Sequence, residues 1–144
     1  MEYRKMEKLN ISTSLLGFGC MRFPTNADGS INEEETLAMI DKAYQSGVTY
    51  FDTAYPYHGG KSEEVTGKAL ARYARDSYYL ATKLPIWGVK SVADAERIFQ
   101  EQLKRLQKDY VDFYLMHALN AGSWKTVKEL DLLGYCEKLR AEGK

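Results

Sequence analysis

Apolar and polar positions along the chain change period at regular intervals. The short run "STSLLGFGC" is mostly apolar, ends near Gly19 and predicts a buried strand. In "INEEETLAMIDKAYQSG" the period lengthens. Leu37, Ile40 and Tyr44 recur at helical spacing, Asn32 and Glu35 supply an N-cap with its partner three residues on, and Gly47 is a stop signal. "VTYFDT", rich in β-branched and aromatic residues, predicts the second strand. "KSEEVTGKALARYAR" predicts a helix capped by Ser62, with Val65, Ala69 and Tyr73 on one face. The third strand is "DSYYLATK". The third helix is "SVADAERIFQEQLKRLQ", capped by Ser91, with Ala95, Phe99, Leu103 and Leu106 forming its apolar stripe. "DYVDFYLMH" predicts a fourth strand. "SWKTVKELDLLGYCEKLRAEGK" predicts a fourth helix of less regular pattern, interrupted by Gly134. The opening residues "EYRKMEKLNIST" fit a small hairpin ahead of the first strand.

The order is therefore β-α four times over, with strands beginning near Leu16, Thr49, Tyr78 and Tyr110. The repeat length, about 30 residues, is that of a βαβ unit and implies a parallel sheet. No linker divides the chain, so residues 1–144 read as one domain. Two parallel architectures compete. A doubly wound dinucleotide-binding sheet usually carries Gly-x-Gly-x-x-Gly after its first strand. Here that place reads Gly17-Phe18-Gly19-Cys20-Met21-Arg22, which lacks the third glycine. An eight-stranded (β/α) barrel instead places functional residues at the C-terminal ends of several strands.

The second pattern is met. Asp52 closes the second strand and Tyr57 follows in its loop. Lys83 closes the third strand and His117 the fourth. In a parallel sheet these ends lie on one side, so the four can converge. Together they form a coherent proton-donating set. A phenol is a poor acid at neutral pH, and a neighbouring ammonium makes it a better one by stabilising the phenolate. A lysine kept charged in a partly buried place needs a carboxylate partner. A neutral imidazole can donate to a carbonyl oxygen. Tyr57 is then the acid, Lys83 its tuner, Asp52 the counter-ion and His117 the second hydrogen-bond partner. Taken singly, each of the four has an ordinary structural explanation; it is the conjunction that points to catalysis. His58 reads as loop surface, Trp87 as either pocket lining or rim, and Trp124 as packing at the start of the last helix.

Composition narrows the class. The chain has 144 residues, with 20 basic against 20 acidic side chains, so it lacks the electrostatic footprint of a nucleic-acid binder. Cys20 and Cys136 are far apart and form no Cys-x-x-Cys, which suits a reducing cytoplasm. The polar N-terminal stretch does not resemble a signal peptide, and no apolar run reaches the ~18 residues of a membrane span. His58 and His117, the two histidines, are too separated to suggest a metal site.

"FDTAYPYHGGKSEEVTGKAL", "LATK" and "YVDFYLMH" resemble the aldo-keto reductases, from "LGFG" onwards over nearly the whole chain. That resemblance implies a (β/α)8 barrel that reduces aldehydes and ketones, small carbonyl substrates, with NADPH or NADH. The family's Asp, Tyr, Lys and His fall at Asp52, Tyr57, Lys83 and His117. It also implies cofactor contacts at Gly19, Cys20, Met21 and Asp52, although Cys20 suits a buried apolar position equally. "LGFGCMR" and "AYPYHGGKSE" look most like a bacterial subgroup that often carries a ferredoxin-like iron–sulfur tail, which this sequence does not contain. Only the first four of eight βα units are present. In the family the other half supplies the carboxamide ligands, the aromatic stacked on the nicotinamide and the basic phosphate loop. The expectation is a half-barrel with weak or no activity alone. It should self-associate as a homo-oligomer through open edges at Leu16–Gly19 and Val111–Met116. Two other readings stay open: a non-catalytic nicotinamide-binding regulatory module, and a purely structural self-associating half-barrel.

Overall fold

A computed structural model describes all 144 residues, Met1 to Lys144. The N-terminal hairpin pairs β1 (Tyr3–Met6) with β2 (Ile11–Ser14). Four parallel strands follow in sequential order: β3 (Gly17–Gly19), β4 (Tyr50–Asp52), β5 (Tyr79–Leu84) and β6 (Phe113–Met116). Between them run α1 (Glu33–Gln45), α2 (Lys61–Leu70) and α3 (Val92–Leu106). After β6 come α4 (Ala121–Glu129) and α5 (Leu132–Ala141). This is the expected half-barrel: four βα units, with the helices on one face of the sheet. No helix is long and apolar enough to cross a membrane.

The caps explain most helix starts. The Asn32 side chain accepts the Glu35 N–H ahead of α1, and Ser91 accepts the Asp94 N–H ahead of α3. Ser62 does not cap α2. It lies inside the first turn, wholly buried, and its hydroxyl donates to Cys20 O at 2.8 Å and pairs with Thr53 Oγ1 at 2.9 Å. A buried hydroxyl must find partners, and here they are the strand ends rather than its own helix.

The expected last helix divides at Leu130–Asp131. Asp131 adopts left-handed φ (49°), and its carboxylate accepts the Gly134 N–H, starting a new helix. Gly134 is thus the residue that makes room for this cap: a Cβ there would stand 2.3 Å from Asp131 Oδ2. The first predicted strand also divides. Its serines belong to the hairpin, where Ser14 exchanges hydrogen bonds of 2.9 Å with Thr49. Leu15 and Leu16 are exposed at the sheet's edge.

Successive strand residues point to opposite faces, so the sheet has two environments. On the helix side Phe51, Leu80 and Leu84 are fully buried with Ile40, Leu70 and Leu106. On the inner side the rings of Tyr50, Phe113 and Tyr79 form a row of tilted and edge-on contacts, with centroids 5.2 Å and 6.2 Å apart, and remain only half-buried.

The tightest packing joins α2 to α3. A Cβ on Gly67 would stand 2.3 Å from the Leu106 carbonyl oxygen, which is backbone and cannot rotate away. Gly67→Ala is therefore expected to lower the urea midpoint at unchanged slope, an overpacking cost of about 1–3 kcal/mol offset in part by the roughly 1 kcal/mol of alanine's better helix propensity. A raised midpoint would show that the two helices can slide apart freely.

Candidate active site

The cluster forms where β4, β5 and β6 end. Asp52 is the last residue of β4 and pairs in register with Ala81. Lys83 lies two residues beyond Ala81 on the same face of β5. Its ammonium reaches back to donate to Asp52 Oδ1 at 2.5 Å, Thr53 O at 2.7 Å and the Tyr57 hydroxyl oxygen at 3.3 Å. Its three protons thus meet three acceptors, which is what a side chain only 13% exposed requires. Lys83 Nζ also stands 4.8 Å from the centre of the Tyr57 ring.

Tyr57 opens the turn Tyr57–Gly60, and its N–H donates to Ala54 O at 3.1 Å. His117 directly follows β6, tied to β5 by its N–H on Leu84 O at 3.0 Å. Its imidazole meets the Tyr57 ring edge-on, with centroids 5.7 Å apart. Burial, and secondly the Lys83 ammonium, hold the His117 imidazole below the ordinary histidine range; Asp52 opposes this in part. Trp87 lies on the other side of His117 at 5.1 Å between centroids and is largely open to solvent, so it occupies the rim. Asp52, Tyr57, Lys83 and His117 therefore come together.

The first loop is less uniform. Gly19 has open space where a side chain would stand, and Met21 is exposed beside the Tyr57 turn. Cys20 departs from its expected place along a cofactor. It is completely buried among the core residues, its N–H donates to Asp52 O, and burial pushes its thiol up to about 12. It has no surface to offer a ligand. Trp124 is partly exposed at the start of α4.

Sequence reasoning missed two supports of the site. One lies behind β5. Gln102 donates to Glu63 Oε1 at 2.8 Å and stands 3.0 Å from Lys83 O, and its Oε1 accepts the Tyr114 hydroxyl at 2.8 Å. Glu63, also paired with Arg105 at 3.3 Å, is wholly buried, and burial raises its carboxyl above the usual range. The available signal was a glutamine on the apolar stripe of α3, between Phe99 and Leu106. The other support is His58, whose Nε2 accepts the Phe23 N–H at 3.0 Å. It is not loop surface.

Comparison with known proteins places the chain in a family. The family model "Aldo/keto reductase family" matches residues 15–144. Aldo-keto reductase YhdN of Bacillus subtilis is 37% identical over 125 residues, covering 81% of this chain and 38% of the relative. L-galactose dehydrogenase of Arabidopsis thaliana is 32% identical over 150 residues, covering the whole chain and 46% of the relative. The crystal structure of an aldo/keto reductase from Klebsiella pneumoniae in complex with NADP and acetate superimposes with a TM-score of 0.73. It is 31% identical and covers 94% of this chain and 44% of that one. The chain thus spans half or less of the length of these proteins.

With two histidines, the titration of His117 is directly readable by NMR. Its resonance is expected to titrate below the ordinary value near 6.5. Lys83→Met should raise that midpoint and Asp52→Asn lower it further, because the lysine opposes the imidazolium and the aspartate favours it. Since the folded pKa lies below the unfolded one, this group's contribution to stability is complete above about pH 6.5. It is lost as pH falls through the folded value. An unmoved midpoint in both variants would mean that neither charge acts on the imidazole.

Proposed function

Because the chain belongs to the aldo/keto reductase family, we propose that it carries the acid–base half of a carbonyl reductase that uses NADPH or NADH, with Tyr57 as proton donor. The observation that carries this is the Lys83 ammonium, held by Asp52 at 2.5 Å and 3.3 Å from the Tyr57 hydroxyl. A bound nicotinamide cofactor supplies a hydride to the carbonyl carbon. The residues here handle the oxygen. The Tyr57 hydroxyl gives its proton to the carbonyl oxygen, and the ammonium beside it stabilises the negative charge left on the phenol oxygen. Asp52 and Thr53 O fix that ammonium in place. His117 stays neutral and donates one N–H to the same oxygen. Its buried Nδ1 has no partner, which favours the proton on Nε2, since an orphaned lone pair is tolerated more readily than an orphaned N–H. Trp87 on the rim provides an apolar wall for the substrate.

The residues present fit the nicotinamide end of a cofactor. Gly19 and Met21 leave an open strand end beside Asp52 and Tyr57. They do not fit the phosphates: Arg22 is the one charged residue between Gly19 and Phe23, and no glycine-rich cradle follows β3. The whole protein's substrate is a small aldehyde or ketone. A cytoplasmic location suits the free thiols of Cys20 and Cys136. The half-open inner face of the sheet and the two unpaired edge strands support self-association of the 144-residue chain into a barrel-like pair.

In any form that reduces carbonyls, Tyr57→Phe is expected to lower kcat by about 10²–10⁴-fold and leave cofactor affinity nearly unchanged. Retained turnover would assign the proton to another group, and binding without turnover in the parent would favour a regulatory module. The 144-residue chain itself is expected to bind NADPH more weakly than micromolar in calorimetry. It should also sediment with a concentration-dependent mass. Tight binding, or a concentration-independent monomer, would contradict the half-site account.

A further inference from the structure

His58 adopts a conformation that local rules assign to another residue. Its φ and ψ are 51° and 43°, in the left-handed region that glycine and asparagine enter most easily. The next two positions, Gly59 and Gly60, are also left-handed and are glycines. The imidazole explains the exception. Its Nε2 accepts the Phe23 N–H at 3.0 Å, and its ring stacks on the Phe23 ring at 5.5 Å and 19°. Phe23 is buried, and its N–H has no other acceptor. The pair lines a cleft of about 460 Å³ that also takes in Met21 and Arg22 from the loop and Pro56 and Tyr57 from the turn.

We propose that His58 is a positioning residue: it locks the loop Cys20–Phe23 to the turn that carries Tyr57, and the lock holds only while the imidazole is neutral. Nε2 accepts only through its lone pair, so the neutral ring carries its proton on Nδ1. The imidazolium is a donor at both nitrogens and would face the Phe23 N–H with a second N–H. Besides His58, the titratable residues lining the cleft are Arg22 and Tyr57, and no carboxylate forms an ion pair with His58. Nothing there holds an imidazolium in place. The bearing on catalysis rests on the function proposed above, in which Gly19 and Met21 face the cofactor. Releasing the loop moves them relative to the Tyr57 hydroxyl.

The test needs no cofactor. Amide exchange of Phe23 is followed by NMR in the 144-residue chain, in His58→Gly and in His58→Gln, with rates corrected for the intrinsic pH dependence. In the parent, the Phe23 amide shift should titrate together with the His58 ring. In His58→Gly, Phe23 exchange should accelerate about tenfold, the loss of one hydrogen bond, while the urea midpoint holds or rises because glycine suits this backbone. Glutamine, which keeps an acceptor at a similar reach, should restore protection and abolish its pH dependence. Unchanged Phe23 exchange in His58→Gly would overturn the proposal. So would a fall in global stability large enough to account for the faster exchange, which would make His58 a packing residue only. Failure here leaves the reductase reading intact, and absence of reductase activity leaves this lock to stand on its own.

Discussion

The site depends on one ammonium whose three protons are all committed. Lys83 comes from β5, Asp52 and Thr53 from the end of β4, and Tyr57 from the turn beyond it, so a single side chain ties two strands and a loop together. The parallel register makes this possible. Asp52 stands opposite Ala81, and Lys83, two residues further on the same face, is long enough to reach back. An ammonium this buried is stable only with a carboxylate beside it, and the carboxylate in turn is costly without the ammonium. The pair therefore behaves as a unit that also fixes the place of the Tyr57 hydroxyl.

Behind the pair, polar contacts on the helix side hold the strand ends. Ser62 bridges Cys20 O and Thr53, which brings the ends of β3 and β4 together from α2. Gln102 and Glu63 do the same for β5 from α3 and α2, and Tyr114 joins them from β6. These groups are buried and mutually satisfied, the condition under which a polar network rigidifies rather than weakens a core. The two faces of the sheet thus differ in kind. The helix face is a finished core with a polar clamp at one end. The inner face offers a half-buried aromatic row and the cluster of Asp52, Tyr57, Lys83 and His117.

The strands and helices were legible because their apolar periods change cleanly, and the barrel type followed from where the ionisable residues fall. Asp52, Lys83 and His117 each close an apolar run, a pattern that depends only on chain order and a parallel sheet. What stayed hidden depended on long-range partners. Ser62 sits where a cap belongs, but its hydroxyl prefers the ends of other strands. Cys20 lies next to exposed Gly19 and Met21 and yet turns into the core, in the turn just past β3 where its N–H is tied to Asp52 O. His58 looks like surface until its contact with Phe23, 35 residues earlier, is known. Asp131 ends one helix and starts another through a left-handed backbone that an irregular apolar pattern only hinted at.

The central claim is that Asp52, Lys83 and Tyr57 act as one proton-donating unit in carbonyl reduction. Groups that act as a unit show strongly non-additive losses. The direct measurement, in a form that reduces carbonyls, is the rate of NADPH-dependent reduction of a small aldehyde by the parent, by Tyr57→Phe, Lys83→Met and Asp52→Asn, and by the Tyr57→Phe/Lys83→Met double variant. The account predicts that the double variant is no slower than the worse of its two parents. Losses that multiply would show that the lysine and the tyrosine contribute independently, and would contradict it.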